Sequence, residues 1–167
     1  SGEKYIGEWK KGKFHGSGTF AHDGREFNGL WQKGKKNGIG TYKYANGDMY
    51  VGEWKESKYS KSGTYIYANG DKYSGEWNNA YENGQGELDF VNGDKYIGTF
   101  KSSRFHGKGT LIFDEGDKYE GEWIDGYRQG NGEYKYKSGT VYRGEFKKNE
   151  SHGEGELTYV DGSKYIG

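Results

Sequence analysis

The chain has no cysteine and no proline, and it has little of the aliphatic material from which cores are ordinarily built: Leu, Ile, Val and Phe together number 23 of 167 residues. The missing cysteine excludes disulfides and thiolate metal sites. No apolar run approaches the ~20 residues of a spanning helix, and the opening SGEKYIGEWKKG lacks the apolar segment of a signal peptide. A soluble cytoplasmic protein is the expectation. A formal net charge of zero argues against a general polyanion binder, and so against nucleic acid. The sum conceals an asymmetry, because residues 1 to 61 carry 12 basic and 7 acidic side chains and the remainder 13 and 18. With so few aliphatics and a mean hydropathy of -1.22, composition alone would suggest disorder.

What is present overturns that reading. Seventeen tyrosines and five tryptophans supply large apolar faces while scoring as polar, so the core must be aromatic. These residues recur with a period. The pattern aromatic-x-Gly-x-aromatic begins at Tyr5, Phe27, Tyr50, Tyr73, Tyr96, Tyr119 and Tyr142, and opens once more at Tyr165. If the first aromatic is position 0, position 2 is always Gly, position 4 is Trp or Phe wherever the repeat is complete, position 13 is always Gly and position 15 is Phe, Tyr or Leu. Such a period must be read before any local structure. Ser1 to Lys4 match the repeat-closing Asp161 to Lys164, which reads as a piece of a longer array spanning residues 1–167.

Each repeat divides into two short alternating segments joined by polar, glycine-bearing stretches, the mark of successive hairpins rather than helices. The expected fold is all-β: an elongated, single-layer, twisted antiparallel sheet of 23-residue hairpin repeats. Like faces meet if paired positions within a repeat sum to 17. That register sets Trp at position 4 across Gly at position 13, pairs Val51 with Ile66, Ile97 with Ile112 and Glu120 with Lys135, and places Glu76, Glu122 and Glu145 opposite Glu87, Glu133 and Glu156. Between repeats, His22-Asp23-Gly24-Arg25 suits a two-residue type I′ turn. The longer Tyr44-Ala45-Asn46-Gly47-Asp48 suits a three-residue loop with left-handed Gly47, so that Phe20 faces Phe27 and Tyr42 faces Tyr50.

The segment YIGEWKKGKFHGSGTF, with its recurrences YVGEW, YSGEW and YEGEW and the later HGKGTL and HGEGEL, resembles the MORN (membrane occupation and recognition nexus) repeat over essentially the whole chain. Departures fall at Lys61, in place of a glycine, and at position 7, where Ser57, Ala80, Ser103 and Asn149 stand. The resemblance implies a scaffold or membrane-contact role, cytoskeletal or membrane association, and binding rather than catalysis.

No constellation carries chemistry. His15, His106 and His152 share position 10 of different repeats, too many strands apart to hold one metal. They read as loop-closing residues interchangeable with Asn37 and Asn83. No nucleophile stands out from the repeat background, so no enzymatic activity and no cofactor are expected. Two surfaces are binding candidates. The aromatic face, with Trp31, Trp54, Tyr65, Trp77, Phe100 and Trp123, should remain partly uncovered in a one-layer sheet and serve a partner helix, a peptide or a second copy in a homodimer. The alternative is anionic phospholipid at the loop edge carrying Lys10, Lys11, Lys13, Lys33, Lys35 and Lys36.

Overall fold

A computed structural model describes residues 2–167, which form strands joined by short turns and loops. Ser1, counted with the array, lies outside the described residues. The chain forms two compact units, Ser1–Tyr81 and Glu82–Gly167. The first contains β1 Lys4–Lys10, β2 Lys13–His22, β3 Arg25–Gln32, β4 Lys35–Lys43, β5 Met49–Lys55, β6 Lys58–Ile66 and β7 Lys72–Asn78. The second contains β8 Tyr81–Asp89, β9 Lys95–Lys101, β10 Arg104–Ile112, β11 Lys118–Ile124, β12 Tyr127–Lys135, β13 Val141–Lys147, β14 Glu150–Thr158 and β15 Lys164–Ile166. Within each unit the strands follow sequence order in an open antiparallel sheet, the hairpin array that the 23-residue period predicts.

The register inside a hairpin differs from the expected one. Tyr5 faces Phe20 and Gly7 faces Gly18, but beyond the glycines the register shifts so that Glu8 faces His15 and Trp9 faces Phe14. Paired positions therefore sum to 15 before the shift and 13 after it, never 17. The cause is a bulge at positions 11 and 12, where Gly16 turns left-handed at φ 58° and adds unpaired length to the second strand. Consequently Val51 faces Thr64 rather than Ile66, Ile97 faces Thr110, and Glu120 faces Glu133. Glu145 faces His152 while Glu156 faces Arg143. The like-charge pair Glu120 and Glu133 is relieved by Lys118 at 2.8 Å from Glu120 and Arg143 at 2.6 Å from Glu133.

The two glycines of each repeat face each other because the ring at position 0 lies across both. A Cβ at Gly52 would sit 2.5 Å from the Tyr50 hydroxyl and 2.6 Å from the Gly63 backbone. It is this ring, not the indole, that needs the space. Its hydroxyl then donates to the position 3 carbonyl, as Tyr50 does to Glu53 at 3.2 Å and Tyr73 to Glu76 at 2.8 Å.

The position 4 ring wedges edge-on between two position 0 rings, its own and that of the preceding repeat. Trp54 meets Tyr50 at 5.2 Å and Phe27 at 5.3 Å, with planes 90° and 80° apart, and Trp77 meets Tyr73 at 5.1 Å and Tyr50 at 5.4 Å. Edge-to-face contacts of this kind add ~0.5–1.5 kcal/mol each beyond area burial. The indole N–H donates to the position 13 carbonyl of the preceding repeat, from Trp54 to Gly40 and from Trp77 to Gly63, both at 3.1 Å. Phe27, Tyr50, Tyr73, Tyr96 and Tyr119 are thereby 0% exposed, so the rings of consecutive repeats cover one another without a second layer.

Turn chemistry holds where the sequence departs from pattern. Asp23 and Gly24 both have positive φ, as a type I′ turn requires. Tyr44 N–H donates to Asp48 O and Gly47 N–H to Tyr44 O, closing the three-residue loop with Gly47 at φ 97°. Phe20 faces Phe27 and Tyr42 faces Tyr50. Lys61 keeps the left-handed bulge conformation at φ 56°, and Ser57, Ala80, Ser103 and Asn149 keep that of the hairpin turn, at φ 62° to 75°. Ser57 and Ser103 Oγ and Asn149 Oδ1 accept the backbone N–H of Lys36, Glu82 and Arg128. Alanine has no such acceptor, and Ala80 bears left-handed backbone with no side-chain compensation.

Three stability changes follow, each measurable by urea unfolding. Gly52→Ala should cost about 3 kcal/mol because the new methyl meets both the packed Tyr50 ring and the facing Gly63 backbone. Trp54→Phe should cost about 2 kcal/mol through the lost indole bond and lost packing. Ala80→Gly should stabilise by about 1 kcal/mol, and a loss of stability there would contradict the strain assigned to this turn.

Candidate functional site

Of the six aromatics singled out in sequence, five belong to the ring wedge: Trp31, Trp54, Trp77, Phe100 and Trp123 are only 3% to 7% exposed. The expectation that a one-layer sheet leaves this stripe open fails here, because neighbouring repeats supply the cover. Tyr65 differs. It belongs to a second row, at positions 15 and 17, that flanks the wedge and remains half-buried: Tyr42, Tyr44, Tyr65 and Tyr67 in the first unit, and Phe113 and Tyr134 beside the exposed Tyr136 in the second. These rings touch in sequence, Tyr42 to Tyr44 at 4.5 Å, Tyr44 to Tyr65 at 5.8 Å and Tyr65 to Tyr67 at 4.7 Å. In the second unit Phe113 meets Tyr134 at 6.1 Å and Tyr134 meets Tyr136 at 4.7 Å.

Loop aspartates pin this row. Asp48 accepts the Tyr65 hydroxyl and the Ala68 N–H, both at 2.7 Å, and Asp117 accepts the Tyr134 hydroxyl at 2.6 Å and the Lys137 N–H at 2.8 Å. The tyrosine hydrogen bond is the main cause holding both carboxyls below the usual aspartate range. Burial chiefly pushes the Tyr44 and Tyr134 phenols up to about 12.

Position 9 alternates in a way that the reading of single repeats missed. Phe14, Tyr59 and Phe105 stack flat on the position 0 ring, at 3.9, 3.9 and 3.6 Å, whereas the intervening repeats carry Lys36, Glu82 and Arg128 at the same place. Lys36 therefore does not join the loop-edge lysines. Its Nζ sits over the rings of Phe27, Tyr42 and Trp54, 5.1, 3.7 and 4.8 Å from their centroids. Arg128 lies 5.5, 5.2 and 5.7 Å from Tyr119, Tyr134 and Phe146. The signal available in sequence was a charge where alternate repeats place an aromatic. The remaining lysines, Lys10, Lys11, Lys13, Lys33 and Lys35, stay exposed around two turn tips, with Lys35 paired to Glu56 at 3.0 Å.

At position 10, Asn37 and Asn83 accept the backbone N–H of Glu56 and Ser102, each at 3.5 Å, whereas the buried Nδ1 of His106 makes no such bond among the described residues. Among the described residues no group of His, Asp and Glu is arranged to hold a metal ion, and no helix is long and apolar enough to cross a membrane.

Burial lowers the Lys36 ammonium to about 8, while the ring faces favour its charged form. Between that value and the 10.5 of a free lysine the unfolded chain binds more protons, so stability rises with pH there. The tyrosines, raised above their free value of 10.0, act in the opposite sense, and their contribution is lost as pH climbs above it. The urea midpoint should therefore rise from pH 7 to about 9.5 and then fall. Lys36→Met should remove the rise and leave the fall. A midpoint flat across the lower window in the parent protein would contradict the burial of this amine.

Comparison with known proteins agrees with the architecture. No curated protein matches the chain. Among solved structures, the SAS-4 (dCPAP) TCP domain of Drosophila melanogaster, in complex with a proline-rich motif of Ana2 (dSTIL), superposes with a TM-score of 0.60 at 16% identity, covering 98% of this chain and 88% of that one. The TCP10c domain of Drosophila melanogaster Sas-4 superposes with a TM-score of 0.55 at 15% identity, covering 98% and 97%. At such identities the likeness is one of fold. The MORN repeat family matches residues 5–23, 27–49, 50–72, 73–95, 96–118, 119–141 and 142–164; the paired glycines and wedged rings are the structural content of that motif, and the chain belongs to the MORN repeat family.

Proposed function

We propose that this chain is a non-catalytic protein-binding scaffold that docks an extended, proline-rich segment of a partner across its half-exposed tyrosine row. The observation carrying this reading is the contiguous set Tyr42, Tyr44, Tyr65 and Tyr67, whose rings follow one another at 4.5, 5.8 and 4.7 Å. Polyproline II segments are recognised by aromatic-lined grooves, because the ligand is already extended and little entropy is lost. The tyrosines are held in place by their neighbours and by Asp48, so the surface is preorganised. The TCP domain of SAS-4, similar in fold, is in complex with a proline-rich motif, which supports the same class of partner here.

Phospholipid attachment is the less favoured reading. Lys36 leaves the lysine edge for the aromatic face and Glu56 neutralises Lys35, which reduces the basic cluster on which that reading rested. The burial of Trp54 and Trp77 likewise moves the partner surface from the indoles to the tyrosines beside them.

The test is fluorescence anisotropy with a panel of labelled proline-rich peptides of varied flanking charge. Tyr44→Ala and Tyr67→Ala should each weaken binding by about tenfold or more, as loss of an interface aromatic does. Light scattering on the free chain reports in parallel whether a second copy covers the same rings. Failure of every peptide, or tyrosine variants that bind like the parent, would overturn the reading.

A further inference from the structure

The tyrosine row carries a cation for which the described residues supply no anion. Among the described residues Lys36 makes no ion pair, whereas Lys35 pairs with Glu56 and Lys61 with Glu53, each at 3.0 Å. The groups facing Lys36 are Phe27 from β3, Tyr42 from its own strand and Trp54 from β5, with Ser57 Oγ bonded to its backbone N–H. In the next repeat the same position holds Tyr59, stacked 3.9 Å from Tyr50. An aromatic thus fills the space without desolvating a charge. A half-buried ammonium there costs free energy unless something compensates it, and the rings alone recover only a fraction.

The arrangement recurs four repeats later. Lys36, Tyr42 and Tyr44 correspond to Arg128, Tyr134 and Tyr136, and Arg128 again lies among three rings without an ion pair among the described residues, with Nη2 donating to the Asn149 carbonyl at 2.6 Å. The intervening Glu82 breaks the pattern, its carboxylate accepting the Ser103 hydroxyl. Cation, tyrosine and tyrosine at positions 9, 15 and 17 therefore appear once in each compact unit.

We propose that Lys36 with Tyr42 and Tyr44, and equivalently Arg128 with Tyr134 and Tyr136, form a subsite for a carboxylate, so that the docked segment carries a Glu or Asp beside its extended apolar stretch. This rests on the peptide-docking reading above and adds the chemistry of one ligand side chain. Charge complementarity argues for it: the cation lies at the end of a ring row suited to an apolar extended chain and is half open to solvent, and an incoming carboxylate meets an ammonium that has already lost much of its water. Lysine suits a single-point contact, whereas Arg128, partly committed to Asn149, offers its remaining N–H groups.

The experiment uses the whole chain and labelled oligoproline peptides in which a single Glu, or its isostere Gln, is moved along the sequence. At the best position the Glu peptide should bind about tenfold more tightly than its Gln counterpart. In the double variant Lys36→Met/Arg128→Met that ratio should fall to about one, and in Lys36→Arg it should largely persist. Equal affinities for Glu and Gln peptides at every position, measured on the unmodified protein, would overturn the subsite while leaving tyrosine docking intact. A Glu preference that survives in the double variant Lys36→Met/Arg128→Met would place the anion elsewhere and overturn it too. If no oligoproline binds, both the subsite and the docking reading fall.

Discussion

The structure depends on one steric arrangement, an aromatic ring laid flat across two facing glycines. A side chain at Gly52 or Gly63 would run into the Tyr50 ring and push it from its place, and the edge-on contacts with Trp54 and Trp77 would go with it. Everything else in the repeat accommodates that stack. The left-handed bulge at position 11 shifts the register so that the second strand continues beyond the glycines, and the hairpin turn at Glu56 and Ser57, both of positive φ, brings Tyr59 onto the Tyr50 ring. A sheet of one layer then acquires a dry interior, because the missing second layer is replaced by the rings of the next repeat.

The repeat boundaries, the strand content and the loops joining repeats were legible because each rests on short-range chemistry: alternation of period two, an Asp-Gly turn and the Asn-Gly of a three-residue loop. The register inside the hairpin was not. Facing like residues across Gly52 and Gly63 gives a reasonable pairing at several offsets, and the bulge that selects among them is signalled only by a glycine that Lys61 shows to be dispensable. The site was misjudged for a related reason. Trp54 and Trp77 looked available because a single sheet seemed to lack cover, and their burial becomes apparent only once the offset between repeats is known. Lys36 was grouped with Lys33 and Lys35 by sequence proximity, although its strand turns it to the other side.

The two rows of rings divide the work between folding and recognition. Away from the exposed Trp9 and Tyr165, rings at positions 0 and 4 leave a ligand little area. At position 15, Tyr65 and Tyr134 are tethered by loop aspartates, and Tyr65 rests against the Trp77 wedge. A surface held this way keeps its shape without being buried, as suits a scaffold that gains affinity by preorganisation rather than by rearrangement.

Many of the hydrogen bonds between repeats point one way. Trp54 donates to Gly40 and Trp123 to Gly109, Gly34 and Gly126 donate from turn tips to Phe14 and Phe105, and Ala68 and Lys137 donate to Asp48 and Asp117. In each case the donor belongs to the later repeat and the acceptor to the earlier one, although the amides of Lys36, Glu82 and Arg128 run in the opposite sense. The array thus has a polarity along its length. During synthesis, a hairpin leaving the ribosome meets a finished predecessor whose carbonyls and carboxylates are already in place, so assembly proceeds by addition to a template.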